Sequence, residues 1–202
     1  MKENEKALEL YKEAIKKNPQ YLKAYDTLAV FQLKAGQKQE ALRSLEEAAK
    51  ISPLNANRQI MIGDLALESS GDMEKAHWAF KVAMRLDPEM ANDVAEIYMK
   101  NGNDEEAEML FRTVLKHKVK IHVYNRLGIA LRHQNKWQEA ITEYQKALKI
   151  EPENDIIFYN MGLAYLDGHE EVEAIKLFKK ALKINPDFAD PKKMLQKLQN
   201  AE

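Results

Sequence analysis

The sequence predicts an all-α chain in which one helix–turn–helix unit recurs along its length. Three observations carry that reading. Five of the six prolines, Pro19, Pro53, Pro88, Pro152 and Pro186, close a similar phrase, and only Pro191 stands apart. Twelve residues before each of the five is an alanine: Ala7, Ala41, Ala76, Ala140 and Ala174. A bulky apolar residue follows four positions later (Tyr11, Leu45, Phe80, Tyr144, Phe178), then a second alanine three positions further on (Ala14, Ala48, Ala83, Ala147, Ala181). Offsets of four and seven lie on one face of a helix. Small and large residues alternating on that face imply a close helix contact with one large side chain filling the gap. Proline ends the helix because it lacks the N–H and clashes with the preceding turn.

Each of these helices, except the first, is preceded by another. Its mark is an aromatic or apolar residue, a Leu-like residue three on, then Gly or Ala. Tyr25-Leu28-Ala29, Tyr124-Leu127-Gly128 and Phe158-Met161-Gly162 are clear copies, and Ile62-Gly63 and Val94-Ala95 are weaker ones. Glycine inside a helix costs ~1 kcal/mol against alanine, so Gly63, Gly128 and Gly162 predict close approach by a neighbouring helix. Gly36, Gly71, Gly102 and Gly168 fall where these first helices must end, as C-terminal caps, with Asn135 in that role in the fifth unit. The proline spacing agrees: Pro19 to Pro53 is 34 residues, Pro53 to Pro88 is 35 and Pro152 to Pro186 is 34.

In order along the chain, 1–21 is a partial unit holding only a second helix. Complete units follow at 22–55, 56–87, 88–120, 121–154 and 155–188, and a capping helix occupies 189–202. In the partial unit, Ala7, Tyr11 and Ala14 face a first helix the sequence does not contain. The chain is then a piece of something longer, or that face packs on another molecule, since an exposed apolar face is a liability. The third unit holds one extra residue, in the turn Glu68-Ser69-Ser70-Gly71. The fourth is three residues short between Pro88 and Ala107, so its first helix, over 89–101, starts late. At the far end Asp190-Pro191 opens a helix whose Met194, Leu195 and Leu198 cover the preceding unit.

A helix–turn–helix period of 34 residues with this alanine, ring and proline pattern resembles the tetratricopeptide repeat (TPR). The resemblance covers nearly the whole chain and is strongest over 121–154 and 155–188. It implies a right-handed α-solenoid of tandem repeats with a C-terminal capping helix. It also implies that residues around each Leu-Gly mark point into a concave groove that holds a peptide or helix of a partner. Position by position these include Met61 and Asp64, then Asn92, Asp93 and Glu96, then Asn125, Arg126 and Ile129, and finally Tyr159, Asn160 and Leu163. In family members that bind peptides, an asparagine at the place of Asn160 offers donor and acceptor to the peptide backbone. The lysine/asparagine clamp of the chaperone-tail binders in this family is incomplete everywhere here: Asp26 and Val30, or Ile60 and Asp64, stand where it needs lysine and asparagine.

Composition narrows the function classes. Lys and Arg number 31 against 32 Asp and Glu, for a net charge of −1, so the broad basic surface that nucleic-acid binding needs is not expected. No cysteine occurs, which excludes disulfides, thiolate metal sites and cysteine nucleophiles. No run of ~18 apolar residues predicts a membrane span, and the Met-Lys-Glu-Asn-Glu-Lys start is not a secretory signal, so the expected location is cytoplasmic. His77, His117, His122, His133 and His169 show no ligand spacing. His169-Glu170-Glu171 lacks the second histidine of a metalloprotease motif, with Glu173 in its place. Neither a catalytic set nor a metal site nor a cofactor is expected.

The reading that follows is a non-catalytic protein–protein interaction scaffold with a protein or peptide partner. Two alternatives stay open. One is an output module of a bacterial signalling protein, because Tyr124 to Arg132 and Ile51 to Asp64 resemble repeat arrays attached to response-regulator receiver domains. The other is a self-assembling structural scaffold, a homodimer in the simplest case. On the second helices, Trp78, Val82 and Met109 stand outside the alanine face where sister units carry mostly charge. With Tyr11 they form the expected convex or self-association patch.

Overall fold

The computed structural model describes residues 2–200, and side chains from Lys6 onward. Met1, Ala201 and Glu202, at the outer ends of the first and last segments, lie outside them. All regular structure among the described residues is helical. The chain divides into two compact units, Met1–Met90 and Ala91–Glu202.

The first unit contains α1 (Lys2–Lys17), α2 (Leu22–Lys34), α3 (Lys38–Ile51), α4 (Ala56–Ser70) and α5 (Met73–Leu86), then a 3₁₀ turn, Pro88–Met90. Successive helices pack on one another. The alanines read from the sequence are the contact surface: Ala41, Ala48, Ala76 and Ala83 are fully buried. Leu45 and Phe80, the large residues between them, are also buried. A buried side chain of that size contributes roughly 1.5–3 kcal/mol over an exposed one. Ala29, Ala41, Leu42, Leu45, Ile62, Leu65 and Ala79 form one apolar cluster. Asn55 and Asp72 cap α4 and α5, their side chains accepting from the N–H of Arg58 and Lys75. The helix ends at Gly36 and Gly71 are left-handed, with φ of +74° and +64°.

The partial first repeat is less bare than the sequence implies. Leu8 is buried, Ala7 and Ala14 are half-buried, and the Tyr11 ring stacks on Phe31 of α2 at 5.9 Å.

The second unit contains α6 (Ala91–Lys100), α7 (Asp104–His117), α8 (Ile121–His133), α9 (Trp137–Ile150), α10 (Asp155–Asp167), α11 (Glu171–Ile184) and α12 (Ala189–Gln199). Here too each helix packs on the next, and α8 also touches both α6 and α10. Ala107, Ala140, Ala147, Ala174 and Ala181 are fully buried, as are Phe111, Tyr144 and Phe178. The short fourth repeat has a short first helix: α6 has 10 residues, against 13 in α8 and α10. In α12, Pro191 is buried and Met194, Leu195 and Leu198 are half-buried.

Glycine is used for proximity inside the helices. A Cβ on Gly63 would collide with the Phe80 ring, and one on Gly128 with the Tyr144 ring. At Gly162 it would come within 2.6 Å of Phe178. What approaches each glycine is thus the ring of the partner helix in the same repeat, which takes the space of the missing methyl. Gly168 differs from the expected cap. Its φ is −87°, and the left-handed residue is His169 at +59°. Gly168 is needed for space instead, because a Cβ there would lie 2.6 Å from the Trp137 indole.

Candidate functional site

In the second unit the first helices of three repeats, α6, α8 and α10, lie side by side. These three helices carry the residues that the repeat pattern assigns to a groove. On α8 these are Asn125, Arg126 and Ile129. On α10 they are Asn160 and Leu163, and on α6 they are Asn92, Asp93 and Glu96.

Two cross-helix contacts organise this face. Asn160, only 8% exposed, donates from Nδ2 to Oδ1 of Asn125 at 2.8 Å, joining α10 to α8. Arg126 Nε lies 3.0 Å from Glu96 Oε1, joining α8 to α6. Both members of that ion pair keep substantial exposure, so it is screened and contributes ~1 kcal/mol or less to stability. Asn92 is half-buried with an Oδ1 that is shielded and has no hydrogen-bond partner. Asp93 is exposed, and Ile129 and Leu163 are half-buried. Further along α8, Arg132 pairs with Asp167 of α10 at 2.7 Å, and His133 Nδ1 meets Asp104 at the start of α7 at 3.0 Å.

Tyr159 is placed differently from its neighbours. Its ring lies against Phe178 (5.8 Å between centroids) and Phe188 (5.2 Å), so it packs α10 onto α11 and the segment leading to α12. Burial, with the nearby Asp190 carboxylate, raises its pKa above the ordinary phenol value.

In the first unit the corresponding face has a crevice of about 190 Å³ lined by Asp26, Val30, Leu45, Asn55, Asn57, Arg58 and Met61. Met61 also packs on the apolar cluster, and Asp64 is half-buried on α4. The dominant charge there is Arg58, which the sequence reading passed over. It is 4% exposed, forks onto both carboxylate oxygens of Asp26 at 2.9 Å, and donates to the Ser52 carbonyl at 2.6 Å. Sister units carry Ala24, Val123 and Ile157 at its place. That substitution of a charge into an apolar position was the available signal.

On the opposite side of the first unit, Trp78 is 61% exposed and Val82, one turn on along α5, is half-buried. Met109 on α7 is 56% exposed but belongs to the other unit. The α7–α9 surface is instead tied by ions. Glu108 accepts from Arg112, Lys136 and Gln134, and Glu143 from Arg112 and Lys146. Burial opposes ionisation of Glu108, but those hydrogen bonds outweigh it and hold its pKa below the usual carboxylate value. Among the described residues no three His, Asp or Glu side chains gather as a metal-ligand set, and no helix is long and apolar enough to cross a membrane.

Comparison with known proteins agrees with the repeat geometry. A family model described as TPR repeat matches residues 124–168, and two described as Tetratricopeptide repeat match 156–188 and 1–63. Anaphase-promoting complex subunit 7 of Arabidopsis thaliana is 28% identical over 137 residues, which is 66% of this chain. The chain spans only 25% of that relative's length. Among solved structures, YrrB, described as a TPR protein with an unusual peptide-binding site, aligns with a TM-score of 0.60 at 17% identity. That alignment covers 92% of this chain and 97% of YrrB. The C-terminal part of a TPR repeat-containing protein from Cytophaga hutchinsonii gives 0.69 at 16% identity, covering 90% and 74%. At these identities the structural likeness speaks for the fold. Ring-in-glycine packing, a recurring 34-residue unit and family matches at both ends together make this chain a tetratricopeptide repeat protein.

Proposed function

We propose that the protein is a non-catalytic interaction scaffold. In this reading the face built by α6, α8 and α10 binds an extended peptide or a helix of a partner protein. The observation that carries it is the Asn160–Asn125 bond. It holds two carboxamides, one buried and one half-buried, in a fixed relation across neighbouring helices, at positions the repeat pattern assigns to the groove. Each carboxamide offers more hydrogen-bonding groups than that one bond uses, and a peptide backbone supplies both donors and acceptors to meet them. Asp93 and Glu96 beside Arg126 give the face both signs of charge, which favours a partner of mixed charge and fixes its register more than its affinity. Anaphase-promoting complex subunit 7 carries a name that places it in a protein assembly, and YrrB is described with a peptide-binding site. Both support a binding role for this chain.

The test is capture. Immobilised wild type and the double variant Asn160→Ala plus Arg126→Glu are exposed to lysate, and bound proteins are identified by mass spectrometry. Circular dichroism verifies that both are equally helical. Partners retained by wild type and lost by the double variant support the assignment. Undiminished capture by a folded double variant rejects it.

A further inference from the structure

On the side of the first unit away from Asp26 and Met61, a crevice of about 310 Å³ opens between α3, α4 and α5. Its walls are Ala49, Pro53 and Ile62, with Trp78 along one side and Glu46 and Lys75 at the mouth. Gln59 lines it and is 1% exposed. Its Nε2 reaches the Pro53 carbonyl at 3.4 Å, while its Oε1 is buried without a hydrogen-bond partner. A buried, unmatched carbonyl of this kind costs roughly the desolvation of the group, which a donor would recover.

The other repeats show what belongs there. At the place of Gln59 three of the other four complete repeats carry a ring, Tyr25, Tyr124 and Phe158, and the fourth carries Ala91. In the second unit Tyr124 lines the equivalent crevice between α7, α8 and α9, and Lys180 of α11 sits 4.1 Å over the Phe158 ring. Three of the repeats thus set an aromatic ring in the wall of this crevice. In the third repeat the ring is replaced by Gln59, and Trp78, which would border it, is left mostly exposed.

We propose that this crevice is a docking site for a tyrosine or tryptophan side chain of a partner protein. Three properties select that guest. Its walls are apolar and the Trp78 indole lies along one of them, a surface against which another ring packs. The unmatched atom is an acceptor, so the guest must donate, which tyrosine O–H and tryptophan N–H do and phenylalanine does not. The charges at the mouth are already matched, Lys75 to Glu46 at 2.7 Å and Lys50 to Glu47 at 2.5 Å, so a neutral guest fits better than an ionised one. The site is separate from the α6–α8–α10 face and does not depend on it.

The experiment titrates the full chain with N-acetyl-tyrosinamide, N-acetyl-tryptophanamide and N-acetyl-phenylalaninamide, following amide and side-chain NMR shifts, the Trp78 indole N–H among them. Single residues bind weakly, with Kd on the order of millimolar. Saturable shifts at Ala49, Ile62 and the Gln59 carboxamide are expected with the tyrosine and tryptophan probes, roughly fivefold weaker for phenylalanine. Gln59→Tyr, which puts the sister residue in place of the unmatched acceptor, removes the advantage of the tyrosine and tryptophan probes over phenylalanine. Trp78→Ala, at an exposed position, weakens the shifts if Gln59→Tyr proves unstable. No saturable shift, or equal binding of all three probes in wild type and both variants, overturns the proposal. Concentration-dependent mass in sedimentation that Gln59→Tyr removes would also overturn it, assigning the crevice to a second copy of this chain.

Discussion

Gly128 has no room for a methyl group, because the Tyr144 ring occupies the place where its Cβ would stand and is itself fully buried. Gly128→Ala should therefore destabilise the protein by about 1–3 kcal/mol, the cost of overpacking, measured as a lower urea midpoint with unchanged slope. Arg58 makes a second, sharper case. Removing its partner by Asp26→Ala leaves a buried guanidinium with only the Ser52 carbonyl and should cost about 1–3 kcal/mol, less than for a fully buried pair because Asp26 is partly exposed. Arg58→Leu, which copies the apolar sister residues, should be neutral within about 1 kcal/mol or stabilising. If both variants lose stability equally in urea melts, the ion pair is a net stabiliser and this account of it is wrong. The two residues also mark a limit of legibility. Ala41, Phe80 and Tyr144 announce themselves by period. Arg58 and Gln59 are polar residues at buried positions, legible only by comparison with sister units, which carry Ala24, Val123 and Ile157 at the first place and Tyr25, Tyr124 and Phe158 at the second. Asn160 was legible as a binding candidate, but its bond to Asn125 depends on the stagger of two helices, which no spacing encodes.

At the scale of elements, the turn between α10 and α11 assigns its roles in an unexpected order. His169 takes the left-handed conformation that glycine tolerates best, while the glycine beside it makes space for Trp137. Exchanging expectations gives a direct measurement. His169→Gly should be stabilising by up to about 1 kcal/mol, since relief of the left-handed strain exceeds the added chain entropy. Gly168→Ala should cost about 1–3 kcal/mol through collision with the indole. Thermal melts of the two variants should move in opposite directions. From sequence alone, a glycine at a helix end reads as the left-handed cap, which was right for Gly36, Gly71 and Gly102 and missed the reason at Gly168. The late start of α6 was legible from three missing residues. The 3₁₀ turn Pro88–Met90 that precedes it was not, because a short helix and a tightened one have the same length deficit.

Across the molecule, two buried phenols set a limit at high pH. Burial, helped by the Glu106 carboxylate, pushes Tyr98 up to about 12, and burial raises Tyr144 as well. In the unfolded chain both ionise near the ordinary phenol pKa of about 10. The folded state thus holds protons that the unfolded state releases. This part of the stability is intact below pH ~10 and is lost as pH rises toward about 12. Melting temperature should fall across that window, and Tyr98→Phe should fall less steeply if the assignment is right. All-helical class and repeat identity were legible throughout, because they rest on a pattern that returns every 34 residues and survives local exceptions. The links between neighbours were not, because each is particular to one pair of units. The glycine-and-ring arrangement has an evolutionary corollary. Gly63 with Phe80, Gly128 with Tyr144 and Gly162 with Phe178 each lie between two successive prolines of the repeat. A duplication or deletion cut at those prolines would inherit each pair whole, so arrays could grow or shrink without redesigning their cores. What such an event would sever is the Asn125–Asn160 bond and the seat of Trp137 on Gly168, making junctions, rather than interiors, the places where new specificity has to be invented.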